Sequence, residues 1–138
     1  MLVEFSEKAI MLCKAAAMGD SDGYRSIAMA GDPRSAKAKG REVYPFDHGR
    51  WQVLICHVAR EVCWQKFSQV PRLTDVLLGT GDRVIAEATR RDQIWGIGLD
   101  MKERGVGVPA AWRGTNVLGW ALMQARGRLR VAAEGLAQ

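Results

Sequence analysis

The sequence predicts an α+β fold, mainly α: one compact domain over residues 1–138 with about six helices and a small β element around residues 83–98. Three observations carry this. Apolar residues recur at three-and-four spacing in three long segments, the signature of helices with one core-facing side. Capping residues, glycines and prolines punctuate those segments where helices start and stop. The stretch Leu77 to Gly98 breaks the helical pattern with Gly79-Thr80-Gly81-Asp82, turns β-like through Val84-Ile85-Ala86, and ends at Trp95-Gly96-Ile97-Gly98.

Taken in order, Ser6 to Met18 is predicted as a helix with Ala9, Ile10, Cys13 and Ala17 as its apolar stripe, ended by Gly19-Asp20. Ser21 caps a second helix to about Ala30, which Gly31-Asp32-Pro33 stops. Residues 34–42 form a short basic helical segment. After the turn Tyr44-Pro45-Phe46-Asp47 comes a long helix, about Arg50 to Phe67, with Trp51, Leu54, Ile55, Val58, Ala59 and Val62 facing the core. Pro71 opens another short helix, Leu73 to Leu78, at a position where a missing N–H costs nothing. Gly105 to Pro109 is a flexible connection, and Gly114-Thr115-Asn116 precedes a last helix to about Val131 with Leu118, Ala121, Leu122, Ala125 and Leu129 inward. No internal repeat or linker divides the chain.

At 138 residues, 48% hydrophobic and 25% charged, the composition is that of a globular protein with a core of ordinary size. No apolar run approaches the roughly 18–20 residues of a membrane span, and the N-terminus lacks a signal-peptide pattern, so a cytoplasmic protein is expected. Three cysteines, Cys13, Cys56 and Cys63, lie in helical contexts without CxxC spacing and are expected as reduced core thiols. His48 and His57 have no partner at metal-ligand spacing, so no metal and no cofactor are expected. A net charge of +5 biases the partner towards anions, whether phosphate, nucleotide or nucleic acid.

Several short motifs occur in a specific order: Glu7 with Met11 and Lys14-Ala15, Gly19-Asp20, Ala36-Lys37 with Gly40-Arg41, Phe46-Asp47, Trp51 and Lys66-Phe67-Ser68-Gln69. Leu77-Leu78 with Thr80-Gly81-Asp82, Glu87-Ala88, Asp92, Trp95-Gly96-Ile97-Gly98-Leu99, Trp112-Arg113-Gly114, Asn116, Leu118-Gly119, Leu122-Met123 and Arg126 follow. Together, over about nine-tenths of the chain, they resemble the YbiA-like family, also called NADAR for NAD- and ADP-ribose-associated proteins. The resemblance implies a hydrolase that cleaves an N-glycosidic bond to ribose. Its substrates would be a phosphoribosylamino-pyrimidine intermediate of riboflavin synthesis, or ADP-ribosylated guanine in nucleic acid. Relative to the family pattern the sequence starts almost at the Glu7 helix, without an aromatic-rich, partly β N-terminal segment.

Cleavage of an N-glycoside passes through a ribosyl centre with oxocarbenium character. It needs negative charge near C1, a base or nucleophile, and a group to protonate or hold the leaving base. Glu87 and Asp92 are the candidate carboxylates, although Asp92 also suits a cap on the turn before Ile94-Trp95. Lys14 lies seven residues after Glu7, on one helical face with Met11 and Met18. It is either a lysine snorkelling from a helix edge or a partly desolvated amine that attacks the anomeric carbon and forms an imine. Glu7 would orient Lys14 or hold ribose hydroxyls. For phosphate the candidates are Arg41, Lys66 near the end of its helix, and the Gly114-Thr115-Asn116 helix start with free backbone N–H groups. Gly96 and Gly98 complete the binding set with Asp82, which is otherwise a turn or cap acid, and Trp95 either stacks on base or ribose or is a hydrophobic plug. These groups are expected to open into one anion-lined hollow. The rival expectations are a non-catalytic ADP-ribose or nucleotide-binding module and a small basic nucleic-acid binder, whose affinity would fall steeply with salt.

Overall fold

A computed structural model describes residues 5–136. Six α-helices occupy them: α1 (Ser6–Met18), α2 (Ser21–Ala28), α3 (Pro33–Arg41), α4 (His48–Gln69), α5 (Pro71–Leu78) and α6 (Val117–Leu136), with a 3-10 turn at Pro109–Ala111 before α6. The fold is therefore mainly helical. The packing divides into two compact units, one ending at Val62 and the other beginning at Cys63, and each is described by itself.

In the first unit α1 packs on α2 and α3 around Leu12, Ala15, Met18, Ile27, Ala30, Ala36 and Val43. The inward face of α1 is thus Leu12, Ala15 and Met18 rather than the predicted stripe. Cys13 is exposed, and Ala9, Ile10 and Ala17 are only half-buried. Both sets satisfy helical periodicity, and the buried one has the small Ala15 clustered with Ala36 of α3. A Cβ at Gly40 would lie well inside contact distance of the Met11 side chain, so the glycine sets how closely α3 can lie on α1.

Side-chain caps explain the starts of α2, α3 and α4. Asp20, not Ser21, is the N-cap of α2: its Oδ1 accepts from Gly23 N at 2.8 Å and its Oδ2 from Tyr44 N at 3.0 Å. These backbone donors hold its carboxyl below the usual aspartate range. Asp32 caps α3 through Ser35 N, with Pro33 in the first turn. Asp47 caps α4 through Arg50 N at 2.9 Å, which starts that helix two residues before the expected Arg50. On α4 the buried residues Ile55 and Ala59 fall inside the predicted stripe, while Cys63, also buried, falls outside it.

In the second unit α5 and α6 pack together, and Leu77, Val117, Ala121, Ala125 and Leu129 are buried. The long connection between them contributes Ile97 and Leu99, both essentially inaccessible. No strand forms among the described residues, and the β element expected at 83–98 is a loop. Three β-prone residues have no neighbouring strand to pair with. Among them the Ile85 carbonyl is bonded instead by a side chain, that of Asn116.

All three cysteines are free, but only Cys63 is a core thiol; Cys13 and Cys56 are exposed. Burial pushes the Cys63 thiol up to about 11, against a smaller opposing pull from Lys66. Alkylation of the native chain at pH 8, read by peptide mass spectrometry, should label Cys13 and Cys56 and spare Cys63 until the chain is unfolded. Labelling of Cys63 at the rate of Cys56 would contradict its burial.

Candidate active site

Lys14 lies on α1 opposite the glycine of α3. Its Nζ donates to the Gly40 carbonyl at 2.6 Å and sits 4.4 Å from the centroid of the Phe46 ring. Burial lowers its pKa from the ordinary lysine range. Phe46 is fixed by the turn in which Asp47 N donates to the Met18 sulfur at 3.3 Å, so the amine rests on a carbonyl and a ring that the fold itself positions. Glu7 is exposed in the first turn of α1 and Arg41 is exposed at the end of α3. Neither side chain makes a hydrogen bond or ion pair among the described residues. Of the candidates in the first unit, the structure therefore gives only Lys14 a built surrounding.

In the second unit Glu87 is held by its backbone. Its N–H donates to Asn116 Oδ1 at 3.0 Å, and its C=O accepts from Ile97 N at 2.9 Å and Thr89 N at 3.1 Å. The carboxylate is exposed and has no partner among the described residues. Asp92 is the turn cap that the sequence left open: Oδ1 accepts from Ile94 N at 3.0 Å and Trp95 N at 2.8 Å. Its other oxygen has no partner among the described residues. Trp95 is half-buried.

The glycines of this loop approach their own chain. A Cβ on Gly96 would lie 2.7 Å from Thr89 Cγ2, 2.8 Å from Glu87 O and 2.9 Å from Asp92 O. Gly98 has φ +69 and faces Arg113, while Gly114 lies against Gly96 and Gln93. These contacts bring Glu87, Asp92 and Trp95 onto one knot of backbone.

The N–H groups at 114–116, expected to be free, are all bonded. Gly114 N donates to Ile97 O, Thr115 N to Gln93 O and Asn116 N to Gly96 O, at 2.8–3.1 Å. Val117 N and Leu118 N likewise donate to Ile94 O and Trp95 O. The start of α6 has spent these donors on the loop, so no open anion cradle exists there. Asn116 is 5% exposed, and its amide is directed at backbone. Asp82 is exposed and paired with Arg130 at 2.7 Å, whose hydrogen bond and charge hold its carboxyl low. Lys66 is exposed in the last turn of α4, 6.0 Å from the Phe67 ring, where a cation suits the helix dipole.

The model of the NADAR domain family matches residues 2–130. The chain belongs to the NADAR family. This NADAR chain is similar to N-glycosidase R617 of Acanthamoeba polyphaga mimivirus, 36% identical over 88% of the chain and 71% of the relative. It is 33% identical to Protein irg-1 of Caenorhabditis elegans, over 90% of the chain and 59% of the relative. It is 30% identical to N-glycosidase Npun_R5314 of Nostoc punctiforme, over 75% of the chain and 60% of the relative. The chain thus spans about three-fifths of the length of two of these relatives.

One residue of the NADAR pattern had no role in the sequence reading and has one in the fold. Arg126 is 7% exposed, and its Nη1 donates to Thr80 Oγ1 at 2.7 Å and Arg83 O at 2.9 Å. One turn further along α6, Arg130 donates to Asp82 and to Gly81 O at 2.6 Å. Two arginines of α6 thereby grip the turn that leads into the Glu87 segment. The signal was available: Arg126 adjoins Ala125 and lies four residues after Leu122, on the inward side of the predicted stripe. An arginine there must satisfy its donors internally.

Proposed function

We propose that this NADAR chain is an N-glycosidase, hydrolysing the C–N bond between a base and a phosphorylated ribosyl or ADP-ribosyl group. The substrate classes are a ribosylamino-pyrimidine phosphate of the riboflavin pathway and ADP-ribosylated guanine. The observation that carries the reading is Glu87, an exposed carboxylate with no partner among the described residues, on a backbone bonded through both its N–H and its C=O. Its main chain is held in place before substrate arrives, and its carboxylate is left free to meet it. The names of two relatives, each an N-glycosidase, support the same reaction class.

In this mechanism the neutral amine of Lys14 attacks C1 of the ribose. The C1–N bond to the base breaks, and a carboxylic acid delivers a proton to the departing base. The protonated amine formed by the attack loses one proton to solvent, and the ring oxygen takes one up as the sugar ring opens to a protonated imine. Water then adds to the imine carbon, and breakage of the C–N bond to Lys14 returns the amine and frees the sugar. Glu87 is the acid and base, and Asp92 orients the ribose with the oxygen that its turn leaves over. Arg41 and Lys66 supply charge for phosphate, and Trp95 packs on the base or ribose.

Lys14 is tested by adding borohydride during turnover of ADP-ribosylated guanine oligonucleotide. A reduced adduct of sugar mass on Lys14 is expected, absent from Lys14→Ala. Because burial lowers the Lys14 pKa, the neutral amine fraction rises with pH through that lowered value. Trapping should therefore increase with pH and level off before an ordinary lysine would deprotonate. Full hydrolysis by Lys14→Ala removes the lysine from the mechanism.

A further inference from the structure

We propose that Asn116 is the positioning residue of Glu87, fixing the carboxylate through its main chain rather than binding substrate; this rests on the N-glycosidase reading above. Asn116 is the one non-glycine with positive φ, +53, among the described residues. That conformation is costly for most side chains and least so for asparagine. Its amide is buried and works in both directions. Nδ2 donates to Ile85 O at 2.9 Å, and Oδ1 accepts from Glu87 N at 3.0 Å. This is the bonding that one residue of a neighbouring strand would give to alternate residues of an extended segment. A single side chain thus replaces the missing strand and sets the register in which Glu87 emerges.

The surroundings fit this role. Gly119, in the same first turn of α6, lacks the Cβ that would strike Ile85 O and both polar atoms of the Asn116 amide. Asn116 N donates to Gly96 O at 3.1 Å and its C=O accepts from Trp120 N at 3.0 Å, so its own backbone is fixed by loop and helix together. Aspartate in its place retains an acceptor for Glu87 N–H and loses the donor to Ile85 O. Glycine accepts the positive φ and loses both. The two substitutions therefore grade the clamp without straining the backbone in the glycine case.

The test measures kcat and KM for Asn116→Gly and Asn116→Asp, each alone and combined with Glu87→Gln, on ADP-ribosylated guanine oligonucleotide and on ribosylamino-pyrimidine phosphate. Amide hydrogen exchange at Glu87 is followed in the same proteins. Asn116→Gly should lower kcat about 10²-fold with KM within about threefold, the loss expected for a catalytic group displaced by about 1 Å. Asn116→Asp should retain more kcat than the glycine variant. In the Glu87→Gln background, Asn116→Gly should cost less than about threefold further, because its effect passes through the group already removed. Exchange at the Glu87 amide should quicken about tenfold or more while the middle of α6 stays protected. Equal losses in both backgrounds, or a rise in KM at constant kcat, overturn the inference. Unchanged Glu87 exchange in a variant that has lost kcat also overturns it. Absence of turnover by the unsubstituted chain on both substrates overturns the proposed function, and with it the catalytic role of the clamp.

Discussion

Glu87→Gln is expected to lower kcat by roughly 10³-fold while KM stays within a few-fold and the melting temperature is unchanged. The side chain is exposed and unpartnered among the described residues, so the amide removes charge and proton transfer without leaving a buried group unsatisfied. The backbone bonds to Asn116, Ile97 and Thr89 do not involve the carboxylate and survive the change. Steady-state kinetics beside a thermal melt decide it. A kcat within threefold of the unsubstituted chain would exclude Glu87 as acid and base. A loss of kcat with a matching fall in melting temperature would assign it a structural role.

Gly119→Ala is expected to destabilise the fold by about 2–4 kcal/mol. Helix propensity alone points the other way, since alanine is favoured over glycine inside a helix by about 1 kcal/mol. The clash decides the sign. The added Cβ would meet Ile85 O, which is backbone, and the Asn116 amide, so either α6 shifts or two hydrogen bonds break. Overpacking of this kind costs about 1–3 kcal/mol, and each lost bond adds about 1 kcal/mol. Gly127 provides the control within the same helix: it is exposed, and a Cβ there meets nothing within 4 Å. Gly127→Ala should raise the melting temperature by a few degrees and Gly119→Ala should lower it by on the order of 10 °C. Equal shifts in one direction would contradict the close approach of α6 to Ile85.

How far the sequence shows this fold differs between helices and loop for one physical reason. Helix ends are set by local chemistry, and α1 and the first residue of α2 fall where punctuation puts them. Asp20, Asp32 and Asp47 cap the next three helices through N–H groups three residues further on. The side of α1 that turns inward is less legible, because it is chosen by residues of other helices, among them the bare surface of Gly40 against Met11. The 83–98 segment is less legible still. Val84-Ile85-Ala86 has the residues of a strand, but its partner is an asparagine 31 positions beyond Ile85, and no local pattern announces that pairing. The same nonlocality explains Asp92. Its turn-capping bonds are local and were foreseen as an alternative, whereas the closure of the 114–116 donors depends on carbonyls of residues 93–97. Lys14 is the converse case: its flanking methionine and alanine leave a partly desolvated amine open beside a snorkelling one, and the Gly40 carbonyl and Phe46 ring supply the shielding.

The N-glycosidase proposal is tested most directly by product stoichiometry. The unsubstituted chain is incubated with excess ribosylamino-pyrimidine phosphate and, separately, with ADP-ribosylated guanine oligonucleotide, and free base and sugar are quantified together by chromatography. Many equivalents of base and sugar per protein, in a 1:1 ratio on at least one substrate, are predicted. Saturable binding with the substrate recovered intact would contradict it and leave a nucleotide-binding module in its place.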